Sequence, residues 1–204
     1  MTALITRACV KLQLTLWFFV FPAVALGAAG RDDWAVLVEP SFMDHEMRRP
    51  IAGSQRTILA VARSHNGEIA PLTREEKKTV HMTFEQIHAE AMKTASAVLA
   101  RLKPQFIRNK KNVIRYAVLE SDDPLTASCV LAPEFAASFR ATLGPDLLVA
   151  MPHRNQVLVF SKQDDAHLQM AESIINGYLG SNYPVSREIF ALEAGGLRSL
   201  GILR

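Results

Sequence analysis

Two apolar runs in the carboxyl half, residues 147–151 (LLVAM) and 157–160 (VLVF), are joined by Pro152-His153-Arg154-Asn155-Gln156. An imidazole, a guanidinium fork and a carboxamide at His153, Arg154 and Asn155 can together hold a carboxylate or a phosphate. A short connection between two rigid strands is where such groups would be presented to a ligand. The same residues also suit a structural turn, with Pro152 setting the backbone and Asn155 hydrogen-bonding it. His153 is also the side chain best suited to act as a general base.

Other chemistry-bearing residues form no strong pattern. Cys129 and His153 lack the local signature of a cysteine hydrolase, and no Gly-x-Ser-x-Gly surrounds Ser161 or Ser186. Glu85 and His88 stand three apart, the spacing of one half of a carboxylate-bridged metal site, but a second pair is missing. His45, His65, His81 and His167 are scattered, and Gly195-Gly196 stands outside any phosphate-loop motif. The sequence therefore points to no metal and no cofactor, and away from an enzyme. A second candidate surface is basic: Arg101, Lys103, Arg108, Lys110, Lys111 and Arg115 occur with no acidic residue among them. Such a run can meet anionic lipid headgroups or an acidic partner, or form a solvated loop whose aliphatic stems lie on the protein.

The chain has 204 residues, 49% of them hydrophobic, with 23 basic and 20 acidic side chains. These values exclude a disordered tail and a disulfide scaffold, and an excess of three positive charges argues against a nucleic-acid domain. The amino terminus distorts the totals. Arg7 and Lys11 precede the apolar stretch 12–26 (LQLTLWFFVFPAVAL), and Gly27-Ala28-Ala29-Gly30 follows it. A basic start, a short apolar run and a small-residue exit make residues 1–29 a signal peptide, cleaved near 27–30. The alternative is an uncleaved anchor, for which the run is short against the roughly 20 residues that a bilayer requires. Without this segment the remaining domain is nearly neutral and keeps a single cysteine, Cys129, in apolar surroundings that suit a buried thiol.

Residues 30–204 read as one α+β domain with a mixed but mostly antiparallel sheet and about three packed helices. Strands are expected at 34–38, 57–63, 68–72, 113–119, 147–151, 157–160, 188–193 and 197–203, with residues 41–55 as a loop and Asn66-Gly67 as a hairpin turn. Thr73 and Thr83 each open a capping box. After the second, Phe84, Ile87, Ala91, Ala95, Val98 and Leu102 mark one helical face ending before Pro104. Phe135, Phe139 and Leu143 mark a second helix capped at Gly144. A third is expected from Asp164 to Gly180 through Leu168, Ala171, Ile175 and Leu179. The 147–151 and 157–160 runs are apolar on both alternating faces, as strands covered on both sides are.

The stretch 143–155 (LGPDLLVAMPHRN), then 157–160, then Tyr183-Pro184-Val185-Ser186 and Ile189-Phe190, resembles the YtpQ-like proteins, a bacterial family known only as a domain of unknown function. The resemblance spans residues 34–203 and is specific in 143–190. It implies a shared fold and supplies no reaction. The acid that closes the family's turn is Asn155 here, and familiar members lack a secretion signal.

The sequence thus leads to the expectation of an exported, non-catalytic binding or accessory domain of the bacterial cell envelope, periplasmic or secreted. Its partner would be a protein or a small anionic ligand, with peripheral membrane contact through the 101–115 run and no nucleic acid. The alternatives are an extracytoplasmic hydrolase using His153 as general base, and a structural envelope protein without a small ligand.

Overall fold

The computed structural model describes residues 33–65 and 68–204. The signal peptide expected at 1–29 and the Asn66-Gly67 turn lie outside the described residues. Ten strands and six helical segments build an α+β fold. The first sheet holds β1 (Asp33–Pro40), β2 (Arg48–Pro50), β3 (Thr57–His65) and β4 (Glu68–Pro71), with β3 pairing all the others. The second has six strands in the order β10-β9-β7-β8-β6-β5: β5 (Gln105–Arg108), β6 (Ile114–Glu120), β7 (Leu147–Ala150), β8 (Gln156–Ser161), β9 (Glu188–Glu193) and β10 (Gly196–Ile202).

This architecture corrects the expected single mixed sheet. There are two sheets, and every pairing between named strands is antiparallel. The one parallel contact among the described residues is an isolated bridge, Ala52 to Arg198, which joins the edge of one sheet to the edge of the other. β2 lies inside the expected loop 41–55, and its three exposed residues carry no alternating signal. β5 similarly replaces an expected loop, as an exposed edge strand whose Phe106 ring reaches Phe139 at 6.4 Å.

Both capping boxes form. They open α1 (Arg74–Thr79) and α2 (Phe84–Arg101), with reciprocal Thr73–Glu76 and Thr83–Gln86 hydrogen bonds. Ile87, Ala91, Ala95 and Val98 of α2 are buried, as their spacing requires. A 3-10 helix, Thr126–Leu131, precedes α3 (Phe135–Leu143), and its five buried residues include Cys129. Gly144 ends α3 at φ 94°, where a side chain would be strained.

The third expected helix is broken in two. α4 (Ala166–Gln169) stops at Met170, whose φ of −91° and ψ of 2° turn the chain, and α5 (Ala171–Gly180) starts afresh. The break rotates the apolar face, so Ala166 and Ile174 are buried while Leu168 and Leu179 are exposed. Six helical segments, three of them no longer than six residues, thus replace the expected three helices.

The two doubly covered strands are as their composition demands. On one face Leu147, Val149, Met151, Val157 and Val159 join Phe135 and Phe139 in a cluster that also takes in Ala35, Leu37 and Ala62 of the first sheet. On the other face Leu148, Ala150, Leu158 and Phe160 pack against Ala166 and Ile174. The first sheet's remaining face, through Val36 and Val61, is closed by Leu72, Ile87 and Ala91. Full burial of each large apolar side chain is worth roughly 1.5–3 kcal/mol.

Candidate functional site

The Pro152–Gln156 connection lies where the two sheets meet. Pro152 O accepts from Val185 N at 2.9 Å and Met151 O from Ser186 N at 3.0 Å, so the connection braces the segment leading into β9. His153 forms a bridge with Pro184, and its ring lies over α5 at Gly177. A Cβ on Gly177 would stand 3.3 Å from that of Pro152, which is why α5 approaches so closely here. Arg154 donates from Nε to Glu39 Oε1 at 2.8 Å. Glu39, near the end of β1, is 2% exposed, whereas Arg154 is 19% exposed, so the carboxylate is buried and the guanidinium keeps some access to water. Asn155 donates from Nδ2 to Ser121 O at 2.8 Å. Arg154 and Asn155 therefore both hold the connection in place through their own hydrogen bonds.

A second sealed carboxylate lies along the same seam. Glu188, 1% exposed at the start of β9, accepts from Ser54 Oγ at 2.6 Å, Gln55 N at 3.0 Å and Thr57 Oγ1 at 2.8 Å. The Thr57 and Ser186 hydroxyls lie 2.7 Å apart. Donors thus replace the water that a buried carboxylate gives up. They also bring Gln55-Arg56 against Ser186-Arg187.

A pocket of about 360 Å³ opens beside this network. Arg56, Arg187, Phe42, Tyr178 and Ser41 contribute to its lining. The Arg187 guanidinium stands 5.6 Å from the centre of the Tyr178 ring. Among the described residues neither Arg56 nor Arg187 meets a carboxylate, and none lines the pocket. Two uncompensated cations and two rings favour a small anion carrying a flat apolar group.

The basic run is not drawn into one surface. Arg101 pairs with Asp123 at 2.7 Å, while Arg115 pairs with Asp164 at 2.6 Å and Asp165 at 2.8 Å. Arg108 donates to Asn112 O at the β5–β6 turn. Lys103, Lys110 and Lys111 form no ion pair among the described residues. Glu85 pairs with Arg49, and His88 stacks on Phe84. Among the described residues no group of His, Cys, Asp or Glu is placed to hold a metal ion, and no helix is long and apolar enough to cross a membrane. Cys129 is sealed in the 3-10 helix, and burial pushes its thiol far above the usual range, with Asp123 adding to the shift.

Of the residues that shape the pocket and its seam, Glu39, Glu188, Arg56 and Arg187 were not singled out by sequence patterns. The signal of the two carboxylates was thin: Glu39 closes the run WAVLVE and Glu188 opens EIFALE, each at one end of an apolar run. The fold and site together define an α+β protein with an arginine-lined pocket at the junction of two antiparallel sheets. No family model matches the chain, nor does any curated protein or solved structure.

Burial lowers the proton affinity of three histidines, His45, His88 and His153. His45 is 6% exposed, and neither ring nitrogen has a hydrogen-bond partner. Glu39 and Asp44 favour its charged form and Arg154 and Arg48 oppose it, but burial dominates. A base held below its ordinary value of about 6.5 leaves the unfolded chain binding more protons on acidification. Stability is therefore level above that pH and declines as pH falls through it toward the depressed folded values. Urea unfolding between pH 7.5 and 5.5 should show this decline. His45→Leu should make it shallower, and an unchanged slope would remove His45 from the account.

Glu39 and Arg154 yield a second expectation. Arg154→Ala leaves the buried Glu39 carboxylate unpaired and should cost about 3 kcal/mol in urea unfolding, and Glu39→Ala, which leaves a part-exposed guanidinium, should cost less. The Glu39→Met/Arg154→Met double variant should recover most of that loss. Single variants within about 0.5 kcal/mol of the parent would show that the pair is dispensable.

Proposed function

We propose that residues 30–204 form a single-domain, non-catalytic binding protein of the bacterial cell envelope, exported by the segment 1–29 and taking a small anionic ligand between Arg56 and Arg187. The observation that carries this reading is the pair of arginines, unmatched by any carboxylate among the described residues and set with Phe42 and Tyr178 in one concave pocket. A guanidinium facing an oxyanion contributes charge-assisted, directional hydrogen bonds, and a flat ring offers apolar area to a planar substituent. The His153–Asn155 connection positions the pocket wall through Val185 and Ser186. The resemblance to the YtpQ-like proteins is part of the same proposal, as a grouping by fold.

Binding is preferred to hydrolysis on the state of the chemical groups. The Cys129 thiol is buried and held protonated. His153 is half-buried against α5, and no hydrogen bond among the described residues joins its ring to a hydroxyl or thiol. The 101–115 run remains a candidate for contact with acidic partners through Lys103, Arg108, Lys110 and Lys111, because Arg101 and Arg115 are already paired.

The probe that separates the readings is p-nitrophenyl phosphate, an anion bearing a flat ring. Calorimetry should show one site, and Arg56→Ala or Arg187→Ala should weaken binding about tenfold or more. Inorganic phosphate should bind more weakly, because it leaves the rings unused. Release of p-nitrophenolate that is lost in His153→Ala would support the hydrolase instead. Equal affinity in the parent and both arginine variants would overturn the pocket assignment.

Compartment is tested on the same material. Amino-terminal sequencing of protein recovered from the bacterial envelope should begin near residues 28–30. An intact Met1 would overturn cleavage.

A further inference from the structure

A larger concavity lies between the edges of the two sheets. Its volume is about 560 Å³, within the roughly 300–1,000 Å³ that small-molecule sites occupy. It is enclosed by β2 and the residues after it, the 3-10 helix, the start of α3 and the β9–β10 hairpin. Leu59, Leu131, Ala136 and Leu192, all part-exposed, line its apolar side, backed by the buried Ile51, Val130, Phe135 and Leu197. Its shape follows from the edge-to-edge joint: the sheets touch at Ala52 and Arg198, with Ser199 N donating to Ala52 O at 2.8 Å. Gly53 lets the backbones meet, since a Cβ there would stand 2.9 Å from Ser199 O. Beyond that joint the two edges diverge over the apolar floor.

Four polar side chains line this cleft, and their states differ. Glu193 is neutralised by Arg198 at 2.6 Å. Arg49 pairs with Glu85 and lies over the Phe84 ring, 4.4 Å from its centre. His88 is held toward its neutral form by burial and by Arg49. Arg140, exposed on the last turn of α3, meets no carboxylate among the described residues. The cleft thus combines an extended apolar floor with one uncompensated cation at its rim. A phosphate alone would leave that floor unused, and a neutral hydrocarbon would leave Arg140 unpaired.

From this combination we infer that the cleft is a second binding site, for an amphipathic carboxylate. The hydrocarbon body lies on Leu59, Leu131, Ala136 and Leu192, and the carboxylate meets Arg140. The site is distinct from the Arg56–Arg187 pocket, with which it shares no lining residue.

Decanoate, kept below its micelle threshold, is the probe. Calorimetry on the purified protein should show one molecule bound per chain, while acetate shows none and decanol binds about tenfold more weakly. Arg140→Ala should lower decanoate affinity about tenfold, toward that of decanol. Ala136→Trp, on the cleft wall, should abolish binding by filling the space, with p-nitrophenyl phosphate binding confirming that the variant is folded. Arg56→Ala should leave decanoate unaffected. If decanoate does not bind, if decanol matches it, or if a folded Ala136→Trp variant binds it normally, the inference is overturned.

Discussion

The arrangement depends on two carboxylates that have been taken out of water. Glu39 ends β1 and Glu188 begins β9, so each sheet contributes one to the seam between them. An isolated buried carboxylate is costly, and its surroundings must supply a cation or several donors. Glu39 obtains Arg154, and Glu188 obtains two hydroxyls and a backbone amide. Both solutions draw partners from the opposite sheet. Apolar contact alone would let the sheets slide, whereas these bonds have fixed lengths and directions.

That registration creates both concavities. Gln55 N is held by Glu188, and the next residue, Arg56, lines the same pocket as Arg187. Two like charges in one pocket repel rather than neutralise each other, which is the basis for the anionic ligand proposed there. The second joint, at Ala52 and Ser199, fixes where the sheet edges touch and hence where they part over Phe135 and Leu197. Arginines carry the recognition groups in both places. His45, His88 and His153 are held toward their neutral forms by burial, so they add hydrogen-bonding capacity and little charge near neutral pH.

Much of the fold was legible because it rests on local chemistry. Each capping box needs only a hydroxyl and a carboxylate or carboxamide three residues later, and both formed. β7 and β8 declared their double burial through unbroken apolar runs, and α2 declared its inner face through its spacing. The misreadings share a cause. The helix expected from Asp164 to Gly180 had a plausible apolar stripe, but packing on β8 required a break at Met170 that no residue type announces. β2 and β5 are exposed edge strands, so neither burial nor alternation marked them. Within the site, His153, Arg154 and Asn155 were conspicuous as neighbours in sequence. Their partners Glu39, Pro184 and Ser121 were not, because they come from other elements.

By itself the amino-acid sequence determined the character of each segment. It set which runs must be buried, where the capped helices α1 and α2 begin, that Cys129 would lie in apolar surroundings, and that the first thirty residues differ in kind from the rest. These are consequences of side-chain polarity and backbone preference within a few residues. Only the tertiary structure decided which charges are compensated. Among the described residues Arg154, Arg101 and Arg115 find carboxylates, whereas Arg56, Arg187 and Arg140 do not, although all six are the same residue type. Compensation depends on distances of a few ångströms between residues far apart in the chain, and those distances exist only once the two sheets have closed on their buried carboxylates.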